Sequence, residues 1–261
     1  MTLCIAAKAR DENNKRAMVC CFDTRVETST AGSETGFKLR RLPAGWGALI
    51  AGALPAAEEL VARLASYFQQ NQPEETVDYL RVPVWAYKKA LVDDYLHSLY
   101  AISADQFYTP EHGHLTPSIV EQTLYDIAKL KSQCSLILFK EDRIFVVEED
   151  FGVWEAGDFC AIGSGGSNAE SWLHYREQSN TVTVANTLYV LYEAKKFAEV
   201  SPGVGRRTYL YVLTDDGMYM ALAGGMRPSI IKRLRKYGPK RIADVFQTTP
   251  NQFQLIPWPK S

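Results

Sequence analysis

Apolar residues fall in short blocks along this chain, and the spacing within each block indicates its element. Residues 3–7 and 17–22 are apolar runs separated by the polar stretch "KARDENNKR", which predicts two strands joined by a long hairpin connection. Residues 46–53, "WGALIAGA", read as a buried strand, and Pro55 then stands where a first helical turn would begin. Leu60, Leu64 and Phe68 recur every four positions, as on an amphipathic helix packed on a sheet.

A helical stretch over 76–97 comes next, followed by "AISADQFYTPEHGHLTP", the least regular part of the chain. Ser118 and Glu121 have capping-box spacing ahead of a helix over 120–130. "CSLILF" and "IFVVEE" flank "KEDR" as a hairpin. "DFCAIGSGGSNAE" reads as strand, Gly-rich turn and helix, with a second capping box at Ser167 and Glu170. A helix over 185–200 leads through "SPGVG" to a last hairpin, "RTYLYVLT" and "MYMALA" about "DDG". Strands in hairpins with helices between them predict antiparallel sheets covered by helices, not a parallel doubly wound fold.

Composition changes this picture little. At 261 residues, 46% hydrophobic and 23% charged, the chain can bury a full core, and with no repeat or linker-like tract it reads as one domain over 1–261. Its 29 Lys+Arg and 30 Asp+Glu leave a net charge of -1, which argues against nucleic acid or a membrane as partner and favours a small molecule or peptide. Five cysteines, at 4, 20, 21, 134 and 160, lack ligand spacing and read as buried, reduced thiols of a cytoplasmic protein. No window has the length or apolarity of a signal peptide or membrane span. His112 and His114 read as solvated loop residues and not metal ligands. The basic "KRLRKYGPKR" at 232–241 reads as a contact between subunits or a solvated helix face, ahead of a nucleic-acid surface.

The chemistry begins at Thr2, directly ahead of the first strand. Methionine before a small residue is removable, and its loss leaves a threonine with a hydroxyl and a free α-amino group. A threonine hydroxyl needs an adjacent base, and an α-amine, with a reference pKa of about 7.7–8.0, can be that base. Asp23 ends the second strand and Lys38 lies in "SETGFKLRRL". A lysine beside the amine and hydroxyl favours the neutral amine and the developing alkoxide, and an aspartate holds that lysine. Gly52, at a strand-to-helix junction, lets backbone approach a reacting carbonyl and offers its N–H to the oxyanion.

In this order the motifs resemble the proteasome β-type subunits of the N-terminal nucleophile hydrolase superfamily. Thr2 matches the nucleophile, "FDTR" at 22–25 the family's "ADTR"-like turn, and "FKLRRLPAGWGALIAG" the lysine-to-glycine segment without a gap. "AIGSGG" at 161–166 is similar to the family's "GSG" turn, which places Ser164 beside the amine, and "YLYVLTDDG" at 209–217 follows in order. The first hairpin connection is longer than the family's, and 95–120 looks like an insertion. The loop that supplies a supporting Asp and Ser in the family reads "AEVSPGVGRR" here, with Ser201 or Glu199 as the available substitutes.

The resemblance implies an α+β fold, a four-layer αββα sandwich of two antiparallel sheets covered by helices. It also implies a cofactor-free threonine peptidase acting on peptides or unfolded protein within a homo-oligomeric ring, single or stacked in pairs, with an ATP-dependent unfoldase as possible partner. The Met-Thr beginning is similar to that of bacterial homologues such as the protease of the heat-shock-locus type. Val26, Ile50 and Leu54 are expected to line the pocket before the cut. Two other readings stay open: a catalytically silent structural or gating ring subunit, and an amidase or transferase acting on a non-protein amide.

Overall fold

The computed structural model describes residues 2–24, 26–27, 32–33, 37–72, 74–109, 115–214, 219–221 and 254–255, with backbone alone at 26–27, 32–33, 219–221 and 254–255. His112, His114, the "DDG" turn and the basic cluster at 232–241 lie outside these residues.

Two antiparallel sheets form the frame. The first contains β1 (Cys4–Arg10), β2 (Arg16–Phe22), β10 (Phe159–Ile162), β11 (Tyr209–Thr214), β12 (Tyr219–Ala221) and β13 (Gln254–Leu255), in the order β10-β1-β2-β11-β12-β13. The second contains β5 (Leu39–Arg41), β6 (Gly47–Gly52), β7 (Cys134–Lys140), β8 (Arg143–Val147) and β9 (Val153–Ala156), in chain order. A short pair, β3 (Val26–Glu27) and β4 (Gly32–Ser33), stands apart from both.

Period-two alternation sorts the strand residues between cores. Cys4, Ala6, Met18, Cys20 and Phe22 of the first sheet meet Leu39, Leu49, Ala51, Ile137, Phe139 and Val146 of the second in one apolar layer. Their odd-numbered neighbours, Leu3, Ile5, Ala7, Val19 and Cys21, face α5 (Gly166–Tyr175) and α6 (Val184–Ala198). On the far side, Ala48, Ile50, Leu136, Leu138 and Phe145 pack under α1 (Leu54–Gln70) and α2 (Val77–Tyr100). A strand buried on both faces reads as continuously apolar, which explains the runs at 3–7 and 17–22.

The expected hairpins are present, with adjusted limits. Both strands of the first one extend into the polar stretch, pairing Lys8 with Met18 and Arg10 with Arg16. Only residues 11–15 turn: Asp11 Oδ1 accepts the N–H groups of Asn13 at 2.8 Å and Lys15 at 2.7 Å, an Asx-type closure. The pairing of β7 with β8 through Lys140 and Arg143 confirms the hairpin about "KEDR". The periodicity missed β9, whose Trp154 and Glu155 are exposed.

Both expected capping boxes are corrected. The fourth helix, α4 (Pro117–Ala128), starts earlier than predicted, with Thr116 as N-cap and Pro117 in its first turn, so Ser118 lies inside it. In α5 the N-cap is Gly165, and Glu170 Oε1 instead accepts the Ala161 N–H of β10 at 3.0 Å. A capping box does occur within the stretch taken as irregular. Ser103 and Gln106 cap the short α3 (Ala104–Phe107) reciprocally. Around it Val92, Leu96, Phe107, Val120 and Ile127 form a small separate core, giving part of the 95–120 region its own apolar centre.

Among the described residues, no helix is long and apolar enough to cross a membrane.

Candidate active site

Register brings the separated motifs to one end of the sheets. Cys4 pairs with Phe22 on one side and with Ile162 on the other. The residues just beyond these pairs are Thr2 and Leu3, Asp23, and Gly163 and Ser164. The ladder continues one step past Phe22, with the Asp23 N–H donating to the Leu3 carbonyl at 3.2 Å. The second sheet supplies Lys38 just ahead of β5 and Gly52 at the end of β6, tied by the Ile50 N–H donating to the Lys38 carbonyl at 3.0 Å. Between the sheets, Cys4 Sγ donates to the Ile50 carbonyl at 3.2 Å.

Asp23 is the centre of this arrangement. Its side chain is fully buried, with Thr2 and Lys38 each 4% exposed beside it. Thr2 Oγ1 donates to Asp23 Oδ1 at 3.0 Å, the Leu3 N–H reaches the same oxygen at 3.3 Å, and Lys38 Nζ forms an ion pair with it. Oδ2 accepts the backbone N–H of Gly205. Burying a carboxylate is costly unless its lone pairs are satisfied, and four donors do this here.

Ser164 reaches the expected residue on its carbonyl side. Its Oγ lies 3.4 Å from the Thr2 carbonyl oxygen and 3.1 Å from that of Pro202. One hydroxyl proton serves one acceptor at a time, so the oxygen keeps lone pairs for a nearby donor. The approach depends on Gly163, at φ +94°, where a Cβ would come within 2.2 Å of the Thr2 carbonyl oxygen. Gly52 is under a similar constraint at φ +96°, where a Cβ would lie 2.4 Å from the Gln133 carbonyl oxygen. Each turn therefore excludes a side chain on two counts, handedness and space.

The other anticipated residues lie elsewhere. Ser201 Oγ accepts from Asn168 Nδ2 at 2.8 Å, and the Glu199 carboxylate is engaged by Lys195 and Lys196. Ile50 is buried in the core under α1, with Leu54 partly buried against that core. Val26 falls in β3, where only the backbone is described.

Two contributors were not anticipated, the Gly205 N–H and Lys195. Lys195 is fully buried in α6 and donates to the Gly205 carbonyl at 2.6 Å. A signal existed: Leu188, Leu191 and Lys195 follow helical spacing, so the lysine occupies a core position of an apolar stripe. Burial pulls its pKa below the ordinary lysine value, against the opposing pull of Glu199. Burial also pushes the Cys4 thiol up to about 12 despite the nearby Lys38 charge. Two residues from Thr2, that thiol stays protonated and is a poor nucleophile.

This architecture has a counterpart among solved structures. The chain matches the crystal structure of eukaryotic HslV from Trypanosoma brucei with a TM-score of 0.52 and 15% sequence identity, over 82% of this chain and 99% of that one. The fold is HslV-like. No protein-family model matches the sequence, and neither does any curated protein. The likeness is therefore one of α+β architecture, with two antiparallel sheets and flanking helices.

Proposed function

We propose that the chain is an N-terminal-threonine peptidase of the proteasome type. The observation that carries this reading is the convergence of Thr2 Oγ1 and Lys38 Nζ on one buried oxygen of Asp23. The HslV-like fold supports a hydrolase of the N-terminal nucleophile class. The succession of helices, sheet, sheet and helices through three apolar cores supports the four-layer αββα sandwich, read as one domain with an insertion near 95–120.

While Met1 is attached, the Thr2 nitrogen is an amide and cannot act as a base. Removal of Met1 frees the amine, which takes the hydroxyl proton through a water as Thr2 Oγ1 attacks a peptide carbonyl. Lys38, held by Asp23, stabilises the developing alkoxide, and the Gly52 N–H receives the oxyanion. Ser164 uses its remaining lone pairs to orient the amine. The amine returns the proton to the leaving nitrogen, an ester forms on Thr2, and water hydrolyses it to restore the hydroxyl.

The substrate, a peptide or unfolded protein, adds as a strand between the segment after Asp23 and that ending at Gly52. Leu54, half-buried at the start of α1, then favours an apolar side chain before the cut. The fold likeness is consistent with a homo-oligomeric ring, single or stacked; an ATP-dependent unfoldase that feeds it and a cytoplasmic location complete the same reading.

A catalytically silent ring subunit is the second reading. It is favoured by the engagement of Glu199 and Ser201 with partners other than Thr2. Intact mass and a threonine-directed β-lactone separate the two. A peptidase loses Met1 and forms a covalent adduct on Thr2 that disappears in Thr2→Ala; retention of Met1, or no adduct on the processed chain, sinks the peptidase reading. Analysis of the released products then distinguishes peptide hydrolysis from amide transfer.

A further inference from the structure

We infer that Lys195 is a positioning residue for the active site, acting through Gly205 on Asp23; the inference rests on the peptidase reading above. The loop that follows α6 brings no carboxylate to Asp23 or Thr2 among the described residues. It presents its backbone instead: Gly205 donates its N–H to Asp23 Oδ2, while its carbonyl accepts from Lys195 Nζ at 2.6 Å. The two peptide groups that flank the Gly205 Cα thus link a buried cation to a buried anion.

The rest of the loop explains why such a fixture is needed. It contains Pro202 and Gly203, the latter at φ +85°, and its own backbone closure consists of the Ser201 N–H donating to Ala198 at 3.0 Å and the Val204 N–H donating to Ser201 at 3.3 Å. Neither bond involves Gly205. Lys195 on the rigid α6 provides that anchor, and Glu199, one helical turn later, neutralises its charge. With Gly205 fixed, the second oxygen of Asp23 is occupied. The carboxylate is then held in the orientation in which its first oxygen meets Thr2 and Lys38.

A buried lysine without a reactive role is an expensive core residue, since leucine or methionine at the same helical position would fill the space without desolvating a charge. Cys21, Glu199 and Lys196 are the titratable groups that bear on Lys195, and none of them shares a hydrogen bond or ion pair with Thr2. The relay through Gly205 is the route by which Lys195 reaches the site.

The test uses full-length protein carrying Lys195→Met, which retains the apolar stem, and Glu199→Gln, which is milder and serves if the first variant unfolds. Two measurements are made. The first is hydrogen exchange at the Gly205 amide; the second is Thr2 acylation by a β-lactone, resolved into its limiting rate and half-saturation concentration. We expect Lys195→Met to lose Gly205 protection and to lower the limiting rate roughly tenfold, the effect of one hydrogen bond to a charged group, with half-saturation changed less than about twofold. Glu199→Gln should move both readouts in the same direction by less. Unchanged Gly205 protection, or lost protection with an unchanged limiting rate, overturns the inference. Absence of any adduct in the processed parent protein instead overturns the peptidase reading, while Gly205 exchange still reports whether Lys195 fixes the loop.

Discussion

Thr2 and Asp23 are separated by 21 positions in the chain, yet the threonine hydroxyl donates to the aspartate carboxylate at 3.0 Å. The contact results from the β1–β2 register, which continues past the paired strand ends. Asp23 is therefore placed for both a structural and a chemical role, and the two can be separated by substitution.

The Asp23–Lys38 pair is buried on both sides, and removing one partner leaves the other charge uncompensated. Asp23→Asn or Lys38→Met should each destabilise the fold by about 3–5 kcal/mol. The double variant should cost less than the sum of the two, since no charge is then left alone. Urea denaturation of the three proteins measures this; additive losses would show that the pair is not coupled. All three should be inactive towards a peptide substrate.

Thr2→Ala should behave differently. It removes one hydroxyl hydrogen bond, worth about 1 kcal/mol, and leaves the ion pair intact. Stability should thus remain near that of the parent while peptide hydrolysis disappears. Residual hydrolysis in Thr2→Ala above the level of the double Asp23/Lys38 variant would place the nucleophile elsewhere.

Most of the candidate site was legible in the sequence, but only part of its support. Thr2 and Asp23 border the continuous apolar runs at 3–7 and 17–22, so their position and chemistry are visible together, whereas Lys38 and Ser164 were legible through the motifs around them. Lys195 shows as a lysine in an apolar stripe, but its link to the site is hidden because it passes through the backbone of Gly205, which leaves no side-chain signature. Capping boxes failed for a related reason: S-x-x-E spacing at 118 and 167 was overridden by the proline at 117 and by the Gly-rich turn, which moved both helix starts. The edge strand β9 was missed because two of its four residues face solvent.

Gly163→Ala tests the close approach of the turn to Thr2. The new methyl would lie 2.2 Å from the Thr2 carbonyl oxygen, at a backbone angle that side chains avoid. Strain of about 1–2 kcal/mol arises from the angle alone, and relief of the overlap must push Thr2 away from Asp23. We expect a loss of Thr2 acylation larger than the loss of stability implies. Wild-type acylation in a folded Gly163→Ala protein would show that Thr2 tolerates displacement. Gly52→Ala, where the obstruction is the Gln133 carbonyl, should likewise impair hydrolysis but through the other sheet.

The buried thiols predict an alkaline weakness in the fold. Burial raises the pKa values of Cys4, Cys20, Cys21, Cys134 and Cys160 above the ordinary 9.0, that of Cys4 to about 12. Above pH 9 the unfolded chain releases these protons while the folded chain retains them, so stability present below that pH is lost as pH rises toward the folded values. Each thiol contributes a slope on the order of 1.4 kcal/mol per pH unit within its window. Lys195 acts in the opposite sense, since its lowered pKa makes the unfolded chain bind the extra proton below 10.5. One lysine against five thiols leaves a net loss. Denaturant midpoints should therefore fall between about pH 8.5 and about pH 10.5, and Cys20→Ala with Cys160→Ala should flatten the decline. The same burial should keep all five cysteines unmodified by iodoacetamide at neutral pH until the protein unfolds. A midpoint independent of pH across that range would mean that the thiols are not held neutral by the fold.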